Sequence, residues 1–422
     1  MIRQPASRRS PLGRSLWCSV AAAMFMLLAI QPDAAAGQSA ALTRQIAETG
    51  NWRDGEATLA ERLKADPSDD ETRFGLAMVR FIAAVERFGQ HHYRYGLKTP
   101  ENALFPFLRM PVPLNPSPEV LSYEAQRAAL QVLLENLAAV DLTLAGIKDP
   151  DLKIVIDLEK TRLDFRGVGK SDPDATLMSV IRSVSPMTTR RGAAGPQSFE
   201  VAFDLGDALW LGGYCHLLSA GLEFLLAYDW RATFTHAGSL FYPRIEGRGG
   251  VGRDLPWTRG NGEIAAAVAM IHLIHWEPVE PARLAKARGH LKQVVALSRE
   301  SWKAILAETD DDREWIPAPR QTHGVLPGMT ITQERVDTWL AALDEFDAVL
   351  DGRKLVPHWG LAKGINLRRV FEQPGPFDLV LWATGHAAAP YLEDGPMISS
   401  ATWELWQRVF QGDFLSYVAY FN

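Results

Sequence analysis

The stretch GYCHLLSAGLEFLLAYDW, Gly213 to Trp230, sets one histidine and one glutamate into a run of mostly apolar and small residues. On a helix His216, Ser219 and Glu223 follow at steps of three and four, so they share one stripe about two turns long. Gly212, Gly213 and Ala220 lie beside that stripe and leave room for another helix or a ligand to come close. Leu217, Leu218, Leu222, Leu225 and Leu226 cover much of the remaining circumference, which predicts a helix buried nearly all round. A buried glutamate must be protonated, paired or bound to a cation. The expectation is that Glu223 pairs with His216 or an arginine and so orders the core.

Working outward, HLIHW places His272 and His275 three apart on a helix expected to begin near Gly262. That spacing predicts both imidazoles on one face, above Ala265, Val268 and Ala269. Two histidines from one helix with a histidine and a glutamate from a neighbour suit zinc or iron in donor type and number. His216, Glu223, His272 and His275 are therefore the candidate metal ligands. The spacing is not the zincin one, which needs histidines four apart with a glutamate after the first. The plainer reading is that His275 and Trp276 close a helix end before Pro278.

Asp204 and Asp207 sit three apart in the first turns of the helix that carries His216. Acids there are expected for the helix dipole alone, and a paired-carboxylate glycosidase would need its second acid from elsewhere. Four tryptophans, Trp359, Trp382, Trp403 and Trp406, fall in the last quarter of the chain; core packing accounts for such positions, and a sugar or apolar ligand is the alternative. There is no Gly-x-Ser-x-Gly elbow. Cys215 cannot partner His216, because adjacent helical side chains diverge.

Helical periodicity runs through most of the chain, so the expected fold class is all-α: an α-α hairpin array or solenoid-like bundle with long irregular aromatic loops and two short strands within DLKIVIDLEKTRLDF. The expected divisions are residues 1–36 as a signal peptide, 37–97 as a first helical unit, 98–118 as a proline-rich linker or wrapping loop, and 119–422 as the main helical domain. In the first unit Gly50, Trp52, Leu59, Leu63 and Pro67 stand where the tetratricopeptide repeat keeps its turn glycine, an aromatic, two apolar positions of its second helix and the closing proline. The unit resembles about one such repeat, with Gly55 and Arg62 in place of alanines. One unit cannot bury its face alone, so stacking on the following helices is implied. DFRGVGKSDPDA, from Asp164, resembles a decayed EF-type loop: Gly169 is kept, but Arg166, Val168 and Ala175 replace ligand oxygens, and calcium binding is not expected. GRGGVG, Gly247 to Gly252, matches a dinucleotide fingerprint in spacing only, since no helix is expected to follow it.

At the N-terminus Arg3, Arg8, Arg9 and Arg14 precede SLWCSVAAAMFMLLAI and then DAAAGQSA, the layout of a signal peptide cleaved near Ala36. SRRSPLG resembles a twin-arginine signal, with Pro11 where that pattern prefers an aromatic. The apolar run is shorter than the roughly 20 residues a membrane span needs, and no later segment reaches that length free of charges. The expectation is a soluble, periplasmic or secreted mature chain without a membrane span. Cys215 is its single cysteine, so stability must come from burial. The whole chain carries −6; because residues 1–36 hold four arginines and one aspartate, the remainder carries −9. An acidic chain without a basic run argues against nucleic acid as partner. Two functional readings follow. The leading one is a non-catalytic helical binding or scaffolding protein that holds an envelope protein or polymer. The alternative is an exported metal-dependent hydrolase centred on the four candidate ligands.

Overall fold

The computed structural model describes residues 37–98, 106–172, 174–184, 198–247, 268–326, 330–412 and 414–421. The signal segment and most of GRGGVG lie outside them. The described chain is mainly helical with a few short strands.

Helices α1 (Gln38–Thr49) and α2 (Trp52–Ala65) form a pair joined at Gly50, whose φ of 70° is the left-handed conformation that ends α1. Trp52 and Leu59 are buried. Gly55 is small for a reason, since a Cβ there would meet the Ile46 side chain at 2.6 Å. The long α3 (Asp70–Arg94), capped by Asp69, packs on both helices and on α4 (Tyr123–Leu144), capped by Ser122. On α4 Leu130, Leu134, Leu137 and Val140 are buried and Leu133 is half-buried. Between α3 and α4 the proline-rich chain wraps rather than hangs free: Leu108 and Met110 are buried, and Asn115 donates to the carbonyls of Tyr93 and Arg94.

After α4 the chain forms β1 (Ile154–Asp157), α5 (Leu177–Val184) and β2 (Glu200–Phe203), with β1 and β2 antiparallel. One strand rather than two lies in DLKIVIDLEKTRLDF, and the segment expected as the start of the central helix is β2. In the EF-like loop the Asp164 carboxylate accepts from the N–H groups of Gly167 and Gly169, so it closes the turn itself.

The central helix α6 (Leu205–Ala227) is buried or half-buried at every position except Gly221. It is long and apolar enough to cross a membrane by length and composition, and here it lies between α4 and α8 (Ala282–Ala307). Gly206 allows the closest approach, because a Cβ there would meet Ile305 at 2.7 Å, while Ser301 donates to the Gly206 carbonyl. At Gly212 the neighbours are Leu297 of α8 and Leu144 of α4, as its small size predicted.

Helix α6 runs directly into β3 (Tyr228–Asp229), followed by α7 (Arg231–Phe241), helical residues at 268–273 and β4 (His275–Pro278), which leads into α8. The last third adds α9 (Gln333–Leu350), β5 (Gly364–Ile365), α10 (Leu367–Glu372), β6 (Phe377–Asp378), α11 (Leu379–Ala383), β7 (Leu392–Glu393), α12 (Ser400–Val409) and α13 (Phe414–Phe421). Strands β3, β4 and β6 make a three-stranded antiparallel sheet. One buried cluster extends from Ile46 to Phe421, so the core is continuous across the proline-rich segment.

Candidate functional site

The four sequence-predicted ligands lie in two places. His216 and Glu223 are on α6, where the stripe meets α8. The His216 Nδ1 lies 2.8 Å from the His290 Nδ1, and its Nε2 lies 3.2 Å from the Asp141 carboxylate of α4. Two turns on, the Arg283 guanidinium donates to Glu223 at 2.8 Å, and Arg283 also donates to Glu280 and Gln131. Of the two expected partners, His216 or an arginine, Glu223 takes an arginine; Glu223 is buried and Arg283 half-buried. Cys215 is buried on the same helix, and burial pushes its thiol up out of the nucleophilic range.

His272 and His275 are not on one helix face. The helical residues end at 273, and His275 opens β4, because its backbone pairs with Asp378 of β6. His272 is exposed. The four residues do not converge on one metal: among the described residues, the trio whose ligand atoms all lie within 4.8 Å of one another is Asp204, Glu308 and Glu314.

That trio sits at the other end of α6. Asp204 and Asp207 form a reciprocal capping box, as acids at a helix start should. Glu308 follows the end of α8, and Glu314 lies in the loop beyond it with 2% exposure. Burial first, then the hydrogen bond shared with Asp204, raises Glu308 to about 9. Burial raises Glu314 to about 7, with Asp204 and Asp310 adding to the shift. Asp207 is raised by burial and by Asp204. Crowding out of water favours the protonated form, and the hydrogen bond that Glu308 shares with Asp204 links the end of α8 to the start of α6.

An open cleft of about 750 Å³ lies beside the β3–β4–β6 sheet, lined among others by Asp229, Arg231, Thr235, His236, His275 and Glu277. The register builds it. His275 stands directly opposite Asp378, so the imidazole Nδ1 reaches the carboxylate at 2.8 Å. Asp378 also accepts the Leu381 N–H as the cap of α11; that bond first, then His275, holds its carboxyl below the ordinary carboxylate range. The His275 Nε2 side is turned towards Glu277, 3.5 Å away. One step along, Asp229 stands opposite Glu277, two acidic side chains facing each other across neighbouring strands. On the opposite face of the sheet Trp276 is buried, packs against Phe377 and donates to Thr233.

No family model, curated protein or solved structure matches the chain.

Sequence reasoning found His275 but missed Asp378, 103 residues away, since a two-residue strand leaves no periodic signal. His290 had a usable signal. His216 and Glu223 are seven residues apart, as are Arg283 and His290, so two antiparallel helices match them pairwise. Chemically, the cleft offers an imidazole held in one orientation by a carboxylate, two further acids and a second imidazole.

Proposed function

We propose that the chain is an exported helical binding protein whose cleft holds an amine-bearing segment of an envelope polymer or partner protein. Export is supported by the basic, apolar and small-residue order of the N-terminus. The observation that carries the reading is the acidic pair Asp229 and Glu277, set opposite each other at the mouth of the cleft. Like charges directly across a strand pair destabilise a sheet, and a cationic group between them turns that cost into affinity. Arg231, a basic side chain of the lining, is already paired with Glu124 and lies over the Tyr123 ring, and the His275 imidazole stands 3.5 Å from Glu277. The helix pairs that resemble a tetratricopeptide unit stack on α4 and form the rigid body behind the cleft; in this reading they serve as scaffold.

Titration with glucosamine oligomers and their N-acetylated counterparts tests it by calorimetry. The amine-bearing oligomer is expected to bind with an affinity that falls with salt, and N-acetylation and Glu277→Gln are each expected to weaken it by about tenfold, the worth of one charged hydrogen bond. Equal binding of the two oligomers, or no effect of Glu277→Gln, would overturn it.

A hydrolytic reading of the same cleft is favoured by one observation, the Asp378-oriented imidazole of His275, which is the arrangement a general base needs. It moves the expected hydrolase from the four predicted ligands to this pair. Release of shorter oligomers by the wild type, lost in His275→Gln, would select it over binding alone.

A further inference from the structure

The seam between α6 and α8 holds a second constellation that the cleft does not use. His216 and His290 come from different helices, and their Nδ1 atoms face each other at 2.8 Å with the rings tilted by 40°. The far nitrogen of His216 meets the Asp141 carboxylate at 3.2 Å, contributed by a third helix, α4. Asp141 accepts, so the Nε2 of a neutral His216 carries the hydrogen and its Nδ1 presents a lone pair. The His290 Nδ1 then donates the hydrogen between the rings. We propose that this seam is a bis-imidazole site for a late first-row divalent metal ion, with His216 Nδ1 and His290 Nδ1 as protein ligands and Asp141 as the carboxylate that orients His216.

Three features support it. A carboxylate on the far nitrogen of a ligating histidine fixes its tautomer and raises its basicity, as metal sites commonly require. The His290 Nδ1 faces the His216 Nδ1 at 2.8 Å, so the two nitrogens are already placed to share one ion. His290 is half-buried rather than sealed in the core. The exchange balances: two metal–nitrogen bonds form, the hydrogen bond between the rings breaks, and the His290 proton moves from Nδ1 to Nε2. With metal–nitrogen bonds of about 2.0–2.1 Å the two nitrogens need to separate by only about half an ångström, and water completes the coordination. The Glu223 carboxylate is engaged by Arg283 and stays outside this set. The site is independent of the cleft reading.

The test uses the mature chain and Co2+ as spectroscopic probe, followed by Zn2+ competition. One equivalent of Co2+ is expected to bind and be displaced by Zn2+, with paramagnetic shifts on the His216 and His290 imidazoles but not on His275. Thermal stability should rise with metal concentration in the wild type. His290→Gln, whose amide can still donate to His216, should fold and lose more than about 100-fold in affinity, and Asp141→Asn about 10–100-fold. Binding below one equivalent, imidazole shifts elsewhere, or full affinity in His290→Gln would each overturn the proposal.

Discussion

The two ends of α6 collect the same residue type and treat it in opposite ways. At the start, Asp207, Glu308 and Glu314 gather around Asp204 where water is scarce, and burial raises all three above the ordinary carboxylate range. At the end, Asp229, Glu277 and Asp378 stand on short strands at an open cleft, where Asp378 is held in its charged form by a backbone N–H and an imidazole. Acid content alone therefore says little. Burial makes the first group an interior fastening; the second, exposed beside a cavity, is the recognition surface proposed above.

Between the two ends, Glu223 and Arg283 are the strongest link, and breaking it is the largest effect expected. Arg283→Met leaves Glu223 buried without a partner and should cost about 3–5 kcal/mol in urea denaturation, whereas Glu223→Met combined with Arg283→Met should recover most of that loss. Recovery would show that the cost lies in the orphaned charge rather than in lost packing.

The acidic cluster sharpens the comparison through pH. Glu314 and Glu308 have folded-state values of about 7 and about 9, above the 4.5 of an exposed glutamate. Their contribution is complete below pH 4.5 and is lost as pH rises through 7 and then 9, because the unfolded chain ionises first. The melting temperature should fall between pH 6 and pH 9, by about 2–4 °C for each kcal/mol lost. Glu308→Gln should flatten that slope and be the more stable protein at pH 9. A rise in stability across this range would contradict protonated carboxyls at this end.

The smallest effect belongs to the cleft. Glu277→Gln removes one of two acids on opposed strand positions together with the 3.5 Å approach to His275, and should change stability by less than about 1 kcal/mol, as read from the same denaturation curves. A loss of more than that would make Glu277 a structural residue.

How much of this the sequence showed depends on the range of each interaction. The stripe of α6 and the Asp204–Asp207 start are local, and periodicity and spacing expose them; that Glu223 needs a partner follows from its burial, whereas Arg283, 60 residues on, is set by the packing of α8. The strand start of β4 is not, because nothing near His275 reveals that residues 377–378 will pair with it; a helical face was read there instead. Glu308 and Glu314 join the cluster only through the way α8 packs on α6, which is set by Gly206 and Ile305. His290 lay between these cases. Its seven-residue spacing from Arg283 mirrors that of His216 and Glu223, a match visible only when two helices are read against each other.

The most direct test of the contrast is calorimetric titration of the mature chain with a glucosamine oligomer, comparing wild type with Glu277→Gln and Glu314→Gln. Loss of about tenfold in Glu277→Gln with wild-type affinity in Glu314→Gln is the result expected of a recognition surface at one end and an interior fastening at the other. Equal affinity in all three, or a loss confined to Glu314→Gln, would contradict it.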